Sequence, residues 1–149
     1  MDYPIRRAGL SDLNIVTAMT LALYGGDHTY DDLAAENTAL LASDNDAVFI
    51  ALAGEGAVGF AHVSLRREYV EGTQSGTVKG YLEGIYTEAS HRNRGIARAL
   101  VPSGEQWAKG KGCKEFASDC QLTNTDSLRF HLKIGFEEVG RIICFKKDL

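Results

Sequence analysis

The sequence contains only two prolines, one tryptophan and three cysteines among its 149 residues. The cysteines are odd in number and include no C-x-x-C pair, which indicates free thiols in a reducing compartment and argues against a disulfide framework. No apolar run approaches the ~18 residues of a membrane helix, and no signal peptide is recognisable. We therefore expect a cytoplasmic protein without a membrane anchor.

An excess of basic residues is also missing, since the net charge is −4. Nucleic-acid-binding proteins usually carry a basic face, so this balance argues against a nucleic-acid partner and is compatible with a cationic ligand. His28, His62 and His91 are scattered without Cys or Asp partners at ligand spacing, so no metal site is predicted. The length and the 44% hydrophobic content predict one globular domain over residues 1–149.

The order of apolar patterns and turn signals mixes strands with helices along the whole chain. We expect a bend, and not a break, at Pro102 inside the third helix. Such mixing predicts an α/β or α+β layer fold with a mixed sheet. The predicted elements are a strand at 3–8, a helix from Ser11 or Asp12 to Gly25, a helix at 31–42, strands at 47–53, 57–67 and 80–87, a helix from Gly95 to Gly110, a strand at 115–120, a helix from Thr123 or Asn124 to Gly135, and a hairpin of 136–139 and 142–147.

Residues 81–100 form the most informative stretch, which reads as a strand, a basic turn and the start of a helix. A helix N-terminus offers unpaired N–H groups and a partial positive charge, which suit a phosphate. Arg92 and Arg94 add full charges, while small residues keep the first turn accessible. The alternative is an exposed basic turn that only caps a helix. The predicted clamp consists of Arg92, Asn93, Arg94, Gly95, Ile96 and Ala97.

The hexapeptide Arg92-Asn93-Arg94-Gly95-Ile96-Ala97 resembles the acetyl-CoA signature of the GNAT (Gcn5-related) N-acetyltransferases: Arg or Gln, two residues, Gly, one residue, then Gly or Ala. Asn124 opening a later helix strengthens the resemblance, as does Gly135-Phe136 closing it. The resemblance implies a GNAT fold with a mixed, mostly antiparallel sheet of six to seven strands and about four helices. It also implies acetyl-CoA as co-substrate, contacted by the clamp, by Asn124, and by the backbone at Ile85 and Thr87 on a strand splayed by a bulge.

A closer resemblance, to aminoglycoside 6′-N-acetyltransferases, lies in residues 66–72, 82–86, 115–119 and 135–138. It implies acetyl transfer to the 6′-amine of an aminoglycoside, antibiotic resistance, and a homodimer. Tyr24 and Tyr69 match positions where that subgroup places aromatic side chains against sugar rings, although a Trp is familiar at the first. Both could instead be ordinary core or rim aromatics. An acidic rim of Asp27, Asp31, Asp32 and Glu36 would suit a polycation.

Glu83 and Asp119 are the candidate catalytic carboxylates, and both would also bind the substrate. An amine is mostly protonated at neutral pH, so it must lose a proton before it attacks a thioester. A carboxylate can hold the ammonium group and accept its proton, directly or through water. We expect the two residues on neighbouring strands. The alternative is that Glu83 faces solvent and Asp119 merely forms a turn.

The acid that protonates the departing thiolate is not evident. Many GNAT enzymes place a Tyr on the last helix, but no Tyr lies between Thr123 and Gly135. His131, water or no acid at all remain open. Two other functions also remain: acetylation of a different small amine or a protein amine, and a non-catalytic module that binds acyl-CoA.

Overall fold

The computed structural model describes residues 2–149, in which five strands form one sheet and four α-helices accompany it. None of these helices is long and apolar enough to cross a membrane. Two short 3₁₀ turns, at Leu10–Asp12 and Ala89–His91, precede the first and third helices. The elements are β1 (Ile5–Arg7), α1 (Leu13–Tyr24), α2 (Tyr30–Ala42), β2 (Asp46–Ala53), β3 (Gly56–Arg66), β4 (Lys79–Thr87), α3 (Ile96–Gly110), β5 (Phe116–Ser118) and α4 (Thr125–Lys133).

The sheet follows the chain order β1-β2-β3-β4-β5. The first three pairings are antiparallel, and only β4 and β5 run parallel because α3 connects them as a crossover. α3 covers one part of the core with Ile96, Leu100 and Val101, all buried. α1 covers a second cluster, which includes Val16 and Phe60.

Two residues explain how α3 lies so close to the sheet. A side chain at Gly104 would collide with Val63 on β3, so glycine permits the close approach. Pro102 lies inside α3 without ending it, as the sequence predicts. Pro102 and Arg98 are both exposed, so solvent can satisfy the Arg98 carbonyl that loses its helical donor.

The predicted elements are confirmed within a few residues, except at the C-terminus. The prediction of a hairpin at 136–139 and 142–147 is wrong, since these residues form no strand in the structure. The sheet of residues 2–149 therefore has five strands, fewer than the six to seven expected. The physical reason is that Val139, Ile142 and Ile143 lie exposed and their backbone pairs with no other strand of the described chain.

Candidate functional site

A wedge opens between β4 and β5, and it is the central feature of the site. The two strands pair only from Gly80–Phe116 to Leu82–Ser118, whereas β4 continues to Thr87. On the other side of β4, Leu82 pairs with Val63 of β3 and Gly84 pairs with His62 of β3. Glu83 lies between these two pairs without a partner, so it is the extra residue of a β-bulge. Residues 83–87 therefore lie beyond the end of β5. Ile85 and Thr87 belong to this stretch.

The Glu83 carboxylate is held by two neighbours on β3. Its Oε1 accepts hydrogen bonds from Ser64 Oγ at 2.6 Å and Arg66 Nε at 2.9 Å, and its Oε2 accepts one from Arg66 at 2.8 Å. Burial alone would raise the pKa of Glu83, but the Arg66 and Ser64 hydrogen bonds more than offset it, and the pKa is lowered. Glu83 is therefore a fixed anion at neutral pH.

The same arginine connects Glu83 to the second candidate carboxylate. The Arg66 guanidinium lies 3.6 Å from the centroid of the Tyr81 ring, and the Tyr81 hydroxyl donates a hydrogen bond to Asp119. Burial, followed by the neighbouring Asp119 carboxylate, raises the pKa of Tyr81, so its hydroxyl stays protonated as a donor. The structure thus places Glu83 on β4 and Asp119 directly after the end of the adjacent strand β5, and it joins them through Arg66 and Tyr81.

A cavity of about 370 Å³ opens beside Glu83, between α1, α2 and the sheet. Its lining includes Tyr24, His28 and Glu36. The buried Asn37 donates to Thr17 and Thr20 on α1 through its amide nitrogen. The cavity lining thus includes two carboxylates, those of Glu36 and Glu83, and the phenol ring of Tyr24, a combination that suits a cationic, hydroxylated ligand.

The predicted aromatic pair is not brought together. Tyr24 ends α1, and its hydroxyl lies directly over Gly84. Tyr69 lies in the loop between β3 and β4, is 60% exposed, and does not line the cavity. Of the predicted acidic rim, Glu36 lines the cavity, whereas Asp27, Asp31 and Asp32 are exposed residues elsewhere on the α1–α2 connection and the start of α2.

The N-terminus of α3 carries the predicted clamp. The helix starts after Gly95, which has φ +80° and supplies no side-chain cap, and Asn93 also has a left-handed φ of 62°. The first N–H groups of α3 are therefore free to bind an anion. Arg92 and Arg94 are exposed beside them, and Arg92 Nε donates to the Thr87 carbonyl at 3.3 Å. Ile96 is buried and Ala97 partly buried within the first turn.

The remaining predicted residues lie on α4. Asn124 is its N-cap, and its side chain accepts a hydrogen bond from the Ser127 N–H at 3.1 Å. His131 contacts Ser118 Oγ through Nε2 at 2.8 Å and the Ser127 carbonyl through Nδ1 at 2.7 Å. Among residues 2–149 no cluster of three His, Cys, Asp or Glu side chains is arranged to hold a metal ion.

Sequence reasoning missed four residues of the site: Ser64, Arg66, Tyr81 and Ser118. Strand periodicity contains a signal for three of them. Ser64 and Arg66 are two residues apart on β3, and Tyr81 precedes Glu83 by two on β4, so each pair shares a face of its strand before any bulge is considered. A polar face on two adjacent strands is unusual inside a sheet, and it marks the site.

Comparisons with known proteins agree with this geometry. The family model described as Acetyltransferase (GNAT) family matches residues 17–136. The chain is 38% identical to an aminoglycoside N(6′)-acetyltransferase type 1 of Salmonella typhimurium over 143 residues, 96% of this chain and 97% of that protein. It is 51% identical to the protein of the same name from Klebsiella aerogenes over 104 residues, 69% of this chain and 67% of that protein.

The fold is similar to that of solved relatives. The structure of AAC(6′)-Iy in complex with the bisubstrate analogue CoA-S-monomethyl-acetylneamine matches with a TM-score of 0.93 and 36% identity, covering 100% of both chains. The structure of AAC(6′)-Ih from Acinetobacter baumannii, an aminoglycoside antibiotic 6′-N-acetyltransferase, matches with a TM-score of 0.91 and 34% identity, covering 99% of both chains.

Proposed function

Because the chain belongs to the acetyltransferase (GNAT) family, we propose that it transfers acetyl from acetyl-CoA directly to the 6′-amine of an aminoglycoside. Both substrates are bound together in this reaction, and residues 1–149 act as one catalytic domain in the bacterial cytoplasm. The product is an acetylated drug with one cationic amine fewer, which accounts for resistance.

The observation that carries the proposal is the position of Glu83. Its carboxylate lines the cavity together with Tyr24, and its backbone lies in the bulge where β4 leaves β5. A cationic amine held by this carboxylate is therefore next to the wedge. In the proposal, acetyl-CoA enters the wedge from the other side, with its pantetheine arm along Ile85 and Thr87 and its pyrophosphate at the α3 N-terminus.

In this proposal the acetyl donor is also held by the turn before α3, the first turn of α3 and the N-cap of α4. Exposed guanidinium groups and free N–H groups bind the pyrophosphate, and an amide side chain on α4 binds the pantetheine portion. These residues are Arg92, Asn93, Arg94, Gly95, Ile96, Ala97 and Asn124.

The carboxylates have different roles in the proposed reaction. Glu83 is already paired with Arg66, and its lowered pKa makes it a good partner for an ammonium group but a weak base. Asp119 is exposed and accepts a hydrogen bond from Tyr81. Asp119 therefore contacts the substrate and accepts the amine proton through water, while Glu83 positions the amine. Tyr24, and Tyr69 from its exposed loop, contact the sugar rings.

The direct test is release of free thiol from acetyl-CoA on addition of an amine. A kanamycin-type aminoglycoside with a 6′-amine should react, whereas its 6′-hydroxyl counterpart should not. A polyamine, a free amino acid and a lysine peptide are the controls for other amine acceptors. Faster turnover of a polyamine would overturn the proposal, and binding of CoA without turnover of any amine would favour the non-catalytic module.

We also propose that the chain forms a homodimer, with the C-terminal segment 141–149 as the connecting element. Val139 lies against Gly72, and beyond it Ile142, Ile143 and Phe145 are 75%, 82% and 91% exposed. Three such side chains within four residues form an apolar stretch that the described chain does not cover. The outer edge of β5 has no strand beside it within residues 2–149, so a second copy can accept this segment there.

Light scattering tests this assembly. The intact chain should elute with twice the mass of one copy, and the double variant Ile143→Asp/Phe145→Asp should elute as one copy. Lys146→Asp is the matched control, because it makes the same segment more negative by the same two charges as the double variant without removing an apolar side chain. A monomeric intact chain, or a dimer that persists in the double variant, would contradict the proposal.

A further inference from the structure

Ser118 lies at the vertex of the wedge between β4 and β5. It is the last residue of β5, and it is paired with Leu82 at the last position where the two strands meet. Its Oγ is 3.3 Å from the Leu82 carbonyl oxygen, so the hydroxyl spans the two strands at the point where they separate. A molecule inserted between the strands meets this hydroxyl at the closed end of the wedge.

The His131 ring lies behind Ser118 and has both nitrogens engaged. Nδ1 is 2.7 Å from the Ser127 carbonyl oxygen, which can only accept, so Nδ1 carries a proton. Nε2 is 2.8 Å from Ser118 Oγ and can therefore either accept from it or donate to it. Because neither nitrogen is left free, His131 has no direct path to a third group and acts only through Ser118.

Aromatic rings fix the orientation of the imidazole. The Phe136 ring centroid is 5.2 Å from that of His131 and the Phe130 centroid is 5.8 Å away, with the Phe130 ring edge-on. Phe136 also stacks on Phe116 of β5, at 5.9 Å. The ring is therefore packed against the strand that carries Ser118, which holds the Ser118–His131 contact in place.

We propose that Ser118 is the acid that protonates the departing CoA thiolate, with His131 as the positioning residue that resupplies its proton. This assignment rests on the proposed acetyl transfer, and it gives a role to a hydroxyl that neither the motif nor the acidic cavity uses. The chain thereby replaces the tyrosine missing from α4 with a two-residue relay from α4 to β5.

The proposed step balances in protons and electrons. The neutral amine nitrogen forms a bond to the thioester carbon, the C=O electron pair moves to oxygen, and the nitrogen, now cationic, gives one proton to water. When the carbonyl re-forms, the C–S bond breaks and its electron pair stays on sulfur. Sulfur takes the proton of Ser118 Oγ, and Oγ takes a proton from His131 Nε2, so the step requires the ring to hold a proton on both nitrogens beforehand. The neutral ring keeps its Nδ1–H bond to Ser127 and regains a proton from solvent.

The expected effect is moderate, because a thiol with a pKa of about 8.5 is a weak base as thiolate and is a fair leaving group without help. Ser118→Ala should slow single-turnover thiol release about 10-fold, less than the ~10²–10⁴-fold usual for general acid–base catalysis, because the thiolate leaves readily without help. Ser118→Thr keeps the hydroxyl and should retain most of the rate. His131→Gln can still hydrogen-bond Ser118 but cannot relay a proton, so it should match Ser118→Ala.

The experiment is single-turnover release of thiol with enzyme in excess over acetyl-CoA and a saturating kanamycin-type aminoglycoside, alongside acetyl-CoA affinity by calorimetry. Ser127→Ala is the matched control, since it removes an Oγ 3.3 Å from His131 Nδ1 but keeps the carbonyl. The double variant Ser118→Ala/His131→Gln should be no slower than either single variant, as two members of one relay are not additive.

Three results would overturn the relay: an unchanged rate in Ser118→Ala, full rate in His131→Gln, or a loss in Ser118→Ala that is matched by weaker acetyl-CoA binding. The last would mean that Ser118 only shapes the wedge. If the unmodified protein releases no thiol with the aminoglycoside, the proposed function fails. If the unmodified protein releases thiol and Ser118→Ala releases it at the same rate, the proposed function stands and only the relay fails.

Discussion

The guanidinium of Arg66 stacks on the ring of Tyr81 while it donates two hydrogen bonds to Glu83. Tyr81 in turn donates to Asp119, so one cation on β3 orders both carboxylates of the site. Cation–π contacts and bidentate pairs of this kind fix the plane of an arginine as well as its charge. We therefore regard Arg66 as the residue on which the acceptor side of the site depends.

Replacing Arg66 by Gln should weaken acetyl transfer and move its pH dependence. With the guanidinium gone, burial raises the pKa of Glu83 and is opposed chiefly by the Ser64 hydrogen bond, so Glu83 stays protonated up to a higher pH than in the unmodified protein. The acid limb of the kcat/KM profile for the aminoglycoside should shift upward, and kcat/KM at pH 7 should fall by about 10-fold, or 1.4 kcal/mol. Steady-state rates between pH 5 and 8 measure both effects.

Arg67→Gln is the matched control for that variant. Arg67 is the next residue, it is exposed, and it bonds Asn45 instead of a site residue. The loss of charge is the same, so long-range attraction or repulsion of the polycation changes equally. Equal effects of the two variants would mean that only the net charge matters and that Arg66 has no special role.

The turn of residues 92–97 at the start of α3 was easier to predict than the contacts among Glu83, Arg66 and Tyr81, because the two depend on different ranges of interaction. The clamp at Arg92 to Ala97 is made by one contiguous turn, whose glycine and arginines are visible in sequence. The Arg66–Tyr81 contact joins side chains of two strands, and it depends on a register that the bulge at Glu83 changes. No local pattern reports that register.

The C-terminal segment illustrates a second limit of sequence reasoning. The run of Ile142, Ile143, Cys144 and Phe145 is typical of a buried strand, and it predicts that the segment is extended. It does not say which backbone the strand joins. A hairpin about Gly140 is the nearest local solution, but the structure leaves the segment unpaired within its own chain. Strand pairing is a long-range choice that periodicity alone leaves open.

Gly84→Ala should raise the KM for the aminoglycoside through Tyr24. A Cβ at Gly84 would collide with the Tyr24 hydroxyl, while the next nearest atom of that ring is 3.5 Å away. The variant therefore pushes the ring out of its place beside Glu83, and we expect KM to rise about 5-fold with acetyl-CoA affinity unchanged. Adding Tyr24→Phe removes the colliding oxygen and should bring the KM most of the way back to that of the unmodified protein. A double variant worse than Gly84→Ala would contradict this explanation.

Asp12→Asn should lower the free energy of unfolding by about 2 kcal/mol at pH 7. Hydrogen bonds from Arg6, which outweigh burial, lower the pKa of Asp12 from 3.8 to about 2, and a shift of that size corresponds to about 2 kcal/mol. The folded-state pKa is depressed, so this stability is fully present above pH 4 and is lost as pH falls toward 2. Urea unfolding of both proteins at pH 7 and pH 3 should show the difference shrinking at the lower pH. If the difference in unfolding free energy were the same at both pH values, the loss would come from packing and not from the Arg6–Asp12 ion pair.

Arg94→Ala should weaken CoA binding about 10-fold, because it removes a charge-assisted contact to a phosphate at the α3 N-terminus. Lys109→Ala is the matched control: it removes the same charge from the exposed last turn of the same helix. Calorimetric titration with CoA should show the loss in Arg94→Ala alone, and the gap between the two variants should narrow as salt rises, since exposed charges are screened. Equal affinities in the two variants at low salt would rule out Arg94 as part of a pyrophosphate clamp and leave the N–H groups of α3 as the anion site.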